Sequence, residues 1–483
     1  MRPISFLSTR SAESSISPVS IEEAIVAGLA PDGGLYVPDR LPALPARVME
    51  SGLLEYSELA YLILEPFFPG WTGSGGALYA ILRRAYGPGS SASGFGPRFS
   101  RPEVAHISKL DGIEAPAIAA SPGGAGSADL YLIELFHGPT CAFKDLALSV
   151  LGGLLKESLD RLGRFEPVLV LTATSGDTGS AALAGLGGIE GVRTAVIFPE
   201  GGTSEIQRLQ MTSLAGPGRF VASIRGNFDD AQRAAKAIFG KALAGEGALA
   251  GQFLSSANSI NIGRLLPQIV YYVAAWRHLA ASGALGRDGK MDVAVPTGNF
   301  GDILAAKYAK EMGLPIGRLI LASNANKVLA EFFGTGVYDR RRSLVRTKSP
   351  SMDILVSSNL ERLLHMASGA SGARVSKLMS ELATEGRFEV SVSERAYMAD
   401  FIAGWCADAE AQAAIASVWE ACGVLVDPHT ATAIRVALEA GGEGRPIVVA
   451  GTASPFKFPA ACLEALGMDV RDLGHGDSGD LGL

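Results

Sequence analysis

The segment ELFHGPTCAFKD, residues 134–145, puts one lysine, Lys144, where an amine could do chemistry. Gly138 and Pro139 make a turn, and downstream Leu148, Leu151, Leu155, Leu159 and Leu162 recur at helical spacing. Lys144 is therefore expected on the first turn of an amphipathic helix. A cation is misplaced at a helix N-terminus, where the dipole favours negative charge. Covalent attachment of the amine to an aldehyde would remove that conflict. Taken alone, Lys144 reads more simply as a surface lysine whose charged end reaches solvent.

Four further stretches bear on the choice. ATSGDTGSA (173–181) follows an apolar strand-like run, a strand–glycine loop–helix pattern of the kind whose amides bind carboxylate or phosphate. Thr174, Ser175 and Thr178 add hydroxyls there, and an N-capping loop with Asp177 or Ser175 as the cap is the ligand-free alternative. VPTGNFGD (295–302) repeats the pattern, with Gly298 and Gly301 permitting close backbone approach to an anion and Asn299 adding an amide. SSANSINIGR (255–264) gathers Asn258, Ser259, Asn261 and Arg264, whose guanidinium can fork two donors onto an oxyanion. GTASPFKF (451–458) sets Thr452 at a strand end with Pro455 in the next turn. All four share one address, the carboxyl end of a strand, where open α/β sheets bind ligands. Together with Lys144 they supply an amine, two anion-binding loops, a hydroxyl and an arginine, the inventory required by pyridoxal phosphate with its aldehyde, phosphate and ring nitrogen.

The elements that must position these residues are short apolar strands alternating with helices. Expected strands are 131–135, 167–173, 192–198, 219–224, 252–256, 291–296, 318–323 and 446–451, with helices at 228–239, 262–282, 302–312 and 429–439 among others. They imply buried parallel sheets, too many strands for one compact sheet, and hence two parallel-sheet α/β lobes with a cofactor cleft between them. Residues 1–95 read as a mostly helical N-terminal domain, and Gly/Ser-rich stretches at 72–76, 87–97 and 121–128 as exposed connections.

Composition excludes several classes. The 483 residues carry a net charge of −7 with no basic run, which argues against a nucleic-acid partner. No uninterrupted apolar run reaches the roughly 18 residues of a membrane span, and LLPQIVYYVAAW (265–276) breaks at Pro267 and Gln268. The N-terminus lacks a signal-peptide core, so the cytoplasm is expected. Four scattered cysteines, Cys141, Cys406, Cys422 and Cys462, and six histidines show no zinc or disulfide spacing, so no metal is expected. The P-loop likeness of GPTCAFKD fails, with Phe143 in place of the second glycine and Asp145 in place of Ser/Thr. Cys141 has no base at motif spacing and reads as a packing residue; His137 reads as a substrate contact or a turn cap; Lys457 reads as a surface or interdomain lysine.

The chain resembles the threonine synthases of the longer bacterial and fungal type, within the tryptophan-synthase-β-like pyridoxal-phosphate enzymes of fold type II. The resemblance rests on PDGGLYVP (31–38), HGPTCAFKD (137–145), ATSGDTGSAA (173–182), SEIQRLQM (204–211), NSIN with Arg264, TGNFGDILAAKYAKEMGLPI (297–316), SPSMDILVSSNLERLL (349–364) and GTASPFKF (451–458), in family order. It implies a large cofactor-binding domain of residues 96–150 and 266–483 and a small α/β domain of residues 151–265. It implies that Lys144 forms a Schiff base with pyridoxal 5'-phosphate and moves protons. By the same resemblance Gly298, Asn299, Phe300 and Gly301 cradle the cofactor phosphate, and Thr452 meets the ring nitrogen. Asp177 stands where relatives place an asparagine near the 3-oxygen, so an aspartate there needs its own proton or another partner. Thr174, Ser175 and Thr178 are expected on the substrate carboxylate, and Asn258, Ser259 and Arg264 on its phosphate. The implied reaction converts O-phospho-L-homoserine and water into L-threonine and inorganic phosphate, in a monomer or homodimer without S-adenosylmethionine activation. Two departures stand out: Ser454 replaces a histidine common in this branch, and Ile262-Gly263 replaces Trp-Ala before Arg264. A serine/threonine dehydratase and a non-catalytic ligand-binding relative are the competing expectations.

Overall fold

The structure, a computed structural model, describes residues 2–11, 17–50, 52, 54–73, 76–88, 98–116, 126–174, 176–226, 228–243, 246, 253–286 and 288–468. Ser175 and most of the Gly/Ser-rich stretches lie outside these. Two sheets carry the architecture. The larger has six strands in the order Phe401–Trp405, Ile316–Ser323, Met291–Pro296, Ile447–Gly451, Ala128–Glu134 and His106–Ala115. All neighbours are parallel except the last pair. The smaller has four parallel strands, Arg219–Ile224, Val192–Pro199, Val168–Ala173 and Phe253–Ser255. Strands such as MDVAVP are buried at every position because helices cover both faces, and the one charged residue in it, Asp292, is paired with Arg318 at 2.7 Å.

All eight strands expected from sequence are present. Two in the large sheet were not foreseen. His106–Ala115 hides its strand character because a register shift between Lys109 and Glu114 interrupts the alternation and leaves Asp111 and Gly112 exposed. Phe401–Trp405 contains Gly404, where a Cβ would lie 2.7 Å from Val436 Cγ1, so close packing of a helix demands a residue that looks like a breaker. The N-terminal segment is helical at Ile21–Ala27, Ala46–Met49, Tyr56–Leu64 and Ala77–Tyr86, with one antiparallel pair, Phe6–Ser8 on Tyr36–Pro38. Its apolar side chains, Ile25, Trp71 and Tyr86 among them, share one core with Leu148, Leu151 and Leu155.

One packing contact positions the site. Helix Lys144–Arg161 crosses helix Asp177–Leu186 with backbones nearly touching. A Cβ on Gly185 would fall 2.6 Å from the Leu148 carbonyl carbon, and one on Gly152 would meet the Gly185 carbonyl at 3.1 Å. Glycines weaken a helix in isolation; here they let two helices from different sheets approach so that their first residues, Lys144 and Asp177, meet. Tyr86 supports the first helix from the N-terminal segment, its hydroxyl donating to the Leu146 carbonyl at 2.6 Å.

Substituting Gly185→Ala should destabilise the protein by about 1–3 kcal/mol through overpacking against backbone, read as a lower urea midpoint. An unchanged midpoint would mean that the two helices have room to part.

Candidate functional site

The cleft between the sheets is lined by Lys144, Thr174, Asp177, Thr178, Asn258, Ser259, Arg264, Gly298, Asn299, Phe300, Gly301 and Thr452. Every site residue expected from sequence, apart from the undescribed Ser175, thus faces one space.

Lys144 is the first residue of its helix, as expected, and is fixed from both sides. Asp145 accepts from the Thr140 amide at 2.8 Å and hydroxyl at 2.7 Å, closing the preceding turn, in which Cys141 has φ 58°. The same turn is stitched to the 451–458 segment: Phe143 N–H donates to the Thr452 carbonyl at 2.8 Å, and Ser454 N–H to that of Cys141 at 3.0 Å. Ser454 therefore does its structural work through its backbone, which explains why a residue other than histidine is accommodated there. Cys141 is half-buried, and burial pushes its thiol up. His137 lies outside the cleft lining, held by Glu134 at 2.6 Å.

Lys144 is not alone with solvent. Its Nζ lies 3.3 Å from Asp177 Oδ2, which also accepts from Ser351 Oγ at 3.1 Å. Asp177 Oδ1 faces Lys457 Nζ and Gln207 Nε2, each at 2.8 Å. The different partner that an aspartate required here is thus Lys457. That lysine is 1% exposed, and the surface reading of it is wrong. Burial alone would raise Asp177, but Lys457 and then Lys144 outweigh it and hold the carboxyl well below the usual range. Burial pulls Lys144 below the ordinary lysine value against the attraction of Asp177, with Arg264 and Lys457 adding to the fall.

Of the ligand-free alternative for the 173–181 loop, capping by Asp177 is not what is seen, and Ser175 lies outside the described residues. Gly176, with φ 141°, precedes the helix, and Thr174 Oγ1 accepts from the amides of Gly176 and Gly179 at 2.9 and 3.1 Å. Asp177 is thereby released to face the lysines.

The 298–301 loop enters helix Gly301–Glu311 through Phe300, left-handed at φ 66°. A phenylalanine there is strained; its buried ring is held against Phe333 and Phe401 at centroid distances of 5.9 and 5.7 Å. A Cβ on Gly298 would lie 2.8 Å from the Ser351 carbonyl, so only glycine fits. Arg264 is buried, its Nη1 donating to the Ala257 carbonyl at 2.7 Å while Nε has no hydrogen-bond partner. Among the described residues no carboxylate pairs with it, and burial lowers it to about 10. The preceding Gly263 is required by packing, since a Cβ would meet Leu151 Cδ1 at 2.9 Å. Asn258 donates to the Ala173 carbonyl at 2.9 Å, tying the two small-sheet loops together.

Several lining residues escaped the sequence reading. Asp302 accepts from Tyr271 and Tyr272, leaves Oδ2 without a partner, and is raised by burial. His429 donates from Nδ1 to Asp427 at 2.6 Å and accepts the Ser351 amide on Nε2 at 3.2 Å, a tautomer assigned from these partners. Both lie in the first turns of helices, Asp302 in Gly301–Glu311 and His429 in Pro428–Ala440, and no spacing in the sequence sets them apart as site residues.

A free amine, a glycine cradle that a Cβ would fill and a buried guanidinium short of an acceptor fit a phosphorylated aldehyde with a second anion beside it. The comparisons agree. The family described as threonine synthase N terminus matches residues 5–86, and that described as pyridoxal-phosphate dependent enzyme matches residues 111–451. Threonine synthase of Pseudomonas aeruginosa is 39% identical over 92% of this chain and 88% of its own. The chain belongs to the threonine synthase family. The pyridoxal-phosphate-bound threonine synthase of Brucella melitensis superposes with a TM-score of 0.83 at 37% identity, covering 96% of this chain and 92% of that one. Threonine synthase-like 1 of Macaca fascicularis is 37% identical over 99% of this chain, which spans 62% of that relative's length. The cofactor is pyridoxal 5'-phosphate. Among the described residues no group of His, Cys, Asp and Glu could hold a metal, and no helix is long and apolar enough to cross a membrane.

An unpaired buried arginine should bind an oxyanion. With the protein loaded with pyridoxal phosphate, inorganic phosphate at ten times its Kd should add about 1.4 kcal/mol of stability, seen as a higher Tm. Arg264→Gln should lose most of that gain; an equal gain in the variant would place the anion elsewhere.

Proposed function

We propose that this protein converts O-phospho-L-homoserine and water into L-threonine and inorganic phosphate, as a monomer or homodimer in the cytoplasm. The observation that carries the reading is Arg264, a buried guanidinium that has no carboxylate partner among the described residues, in the same cleft as Lys144 and the 298–301 loop. With the cofactor phosphate on that loop and the substrate carboxylate on the 174–178 loop, Arg264 is left for a further anion, a phosphate that serine and threonine lack.

In this reading the 298–301 loop and the N-terminus of its helix would hold the cofactor phosphate, Thr452 would meet the ring nitrogen, and Lys144 would hold the aldehyde carbon. The bound cofactor supplies an electron sink for carbanions at the substrate's Cα and Cβ. Arg264, with Asn258 and Ser259, binds the substrate phosphate, and Thr174, Ser175 and Thr178 bind its carboxylate. Lys144, once its amine is free, takes one proton from Cα and one from Cβ and returns one to Cγ and finally one to Cα. The Cγ–O bond breaks with loss of phosphate, water adds its hydroxyl to Cβ, and water's remaining proton passes to the released phosphate. Asp177, kept ionised, faces the Lys144 nitrogen and favours its protonated form.

Borohydride reduction of the loaded protein followed by peptide mapping should label Lys144 alone, and the same sample should release phosphate from O-phospho-L-homoserine while forming threonine. Lys144→Ala should abolish both, a loss of at least about 10³-fold in turnover. Faster formation of 2-oxobutanoate from L-threonine than phosphate release would favour the dehydratase, and label on another lysine would remove Lys144 from its role.

A further inference from the structure

Asp177 is a shared counter-ion. Its two oxygens each receive one lysine, Lys144 at 3.3 Å and Lys457 at 2.8 Å, and its remaining acceptor positions are taken by Ser351 and Gln207. Lys457 and Asp177 are 1% and 3% exposed, so neither charge is screened by solvent. Lys457 is itself immobilised: its Nζ donates to the Thr140 carbonyl at 2.8 Å, and its own carbonyl accepts from Ser204 Oγ at 3.3 Å. Ser204 caps the helix Glu205–Ser213 that carries Gln207. The second lysine is therefore fixed at a set distance from the first, on the far side of one carboxylate, by groups from both sheets' surroundings.

We propose that Lys457 is a positioning residue that sets the basicity of the Lys144 nitrogen, by its own charge and by sharing the Asp177 carboxylate. The inference rests on Lys144 being the cofactor lysine, and not on the identity of the substrate. A carboxylate facing one lysine would lock that lysine's nitrogen in its charged form, unable to take a proton from carbon. A second cation on the same carboxylate draws off part of its field and repels the charge on Lys144, leaving a nitrogen that can cycle. The other charged or titratable groups facing Lys144 are Arg264, which adds to the repulsion, and Asp302, on the first turn of helix Gly301–Glu311. His429 lines the same cleft, with its Nδ1 committed to Asp427. Burial and these cations together pull Lys144 below the ordinary lysine value, the direction that the arrangement requires.

The test is the protonation midpoint of the Lys144 nitrogen in full-length protein loaded with pyridoxal phosphate, read from the pH dependence of its visible absorbance. Lys457→Met should raise the midpoint by about one pH unit or more, a tenfold or greater rise in proton affinity, whereas Lys457→Arg should leave it near the wild-type value. Asp177→Asn should lower it, and adding Lys457→Met to that variant should raise it again. The second pair carries the test if Lys457→Met alone, which strands a buried carboxylate, does not fold. Midpoints that Lys457→Met leaves unmoved in both backgrounds would overturn the inference and leave the cofactor reading standing. Absence of any absorbance band that borohydride fixes on Lys144 in wild-type protein would remove both.

Discussion

A buried carboxylate cannot stand alone in a protein interior, and the organisation of this molecule follows from satisfying one. Asp177 starts a helix of the small sheet, yet three of its four partners, Lys144, Lys457 and Ser351, come from segments around the large sheet. The contact between helices Lys144–Arg161 and Asp177–Leu186 brings the charges together, and the glycines at that crossing are what allow it. The 140–143 turn and the 452–454 segment are tied to each other by backbone hydrogen bonds, and the 349–354 segment reaches this centre through the Ser351 hydroxyl. Reactive side chains from distant parts of the sequence are thus held to one geometry by the requirement that a single charge be neutralised.

The fold was legible wherever burial on both faces produces uninterrupted apolar strands. Strands such as PVLVLTA and PIVVAG carry that signature, and the loops after them carry glycines because backbones must approach one another or an anion. Legibility failed at the edges of the large sheet. Edge strands are half-solvated, and theirs are interrupted by a bulge in one case and by a glycine under a packed helix in the other. No local pattern in HISKLDGIEA or FIAGW separates such strands from loops.

The site was legible to the extent that its residues sit at strand ends within glycine-rich loops. Lys457 shows where that logic stops. In PFKF the hydropathy pattern points the phenylalanine inward and the lysine outward, but the short turn after Ser454 does the reverse: Phe456 is 77% exposed and Lys457 is 1% exposed. Only the three-dimensional neighbourhood, with Asp177 on the inner side, gives the buried lysine the partner it requires. His429 and Ser351 were hidden for a related reason, since they meet each other across 78 residues of sequence.

The central claim is that Lys144, the 298–301 loop and Thr452 grip the three poles of one cofactor, with Asp177 and its lysines behind the reactive nitrogen. A crystal structure of the protein grown with pyridoxal phosphate tests it most directly. Density should run continuously from Lys144 Nζ to the cofactor's aldehyde carbon, with the phosphate on the amides of 298–301, the ring nitrogen at Thr452, and Lys457 still paired with Asp177. Cofactor density joined to another lysine, or a phosphate seated at Arg264 with the 298–301 loop empty, would contradict it.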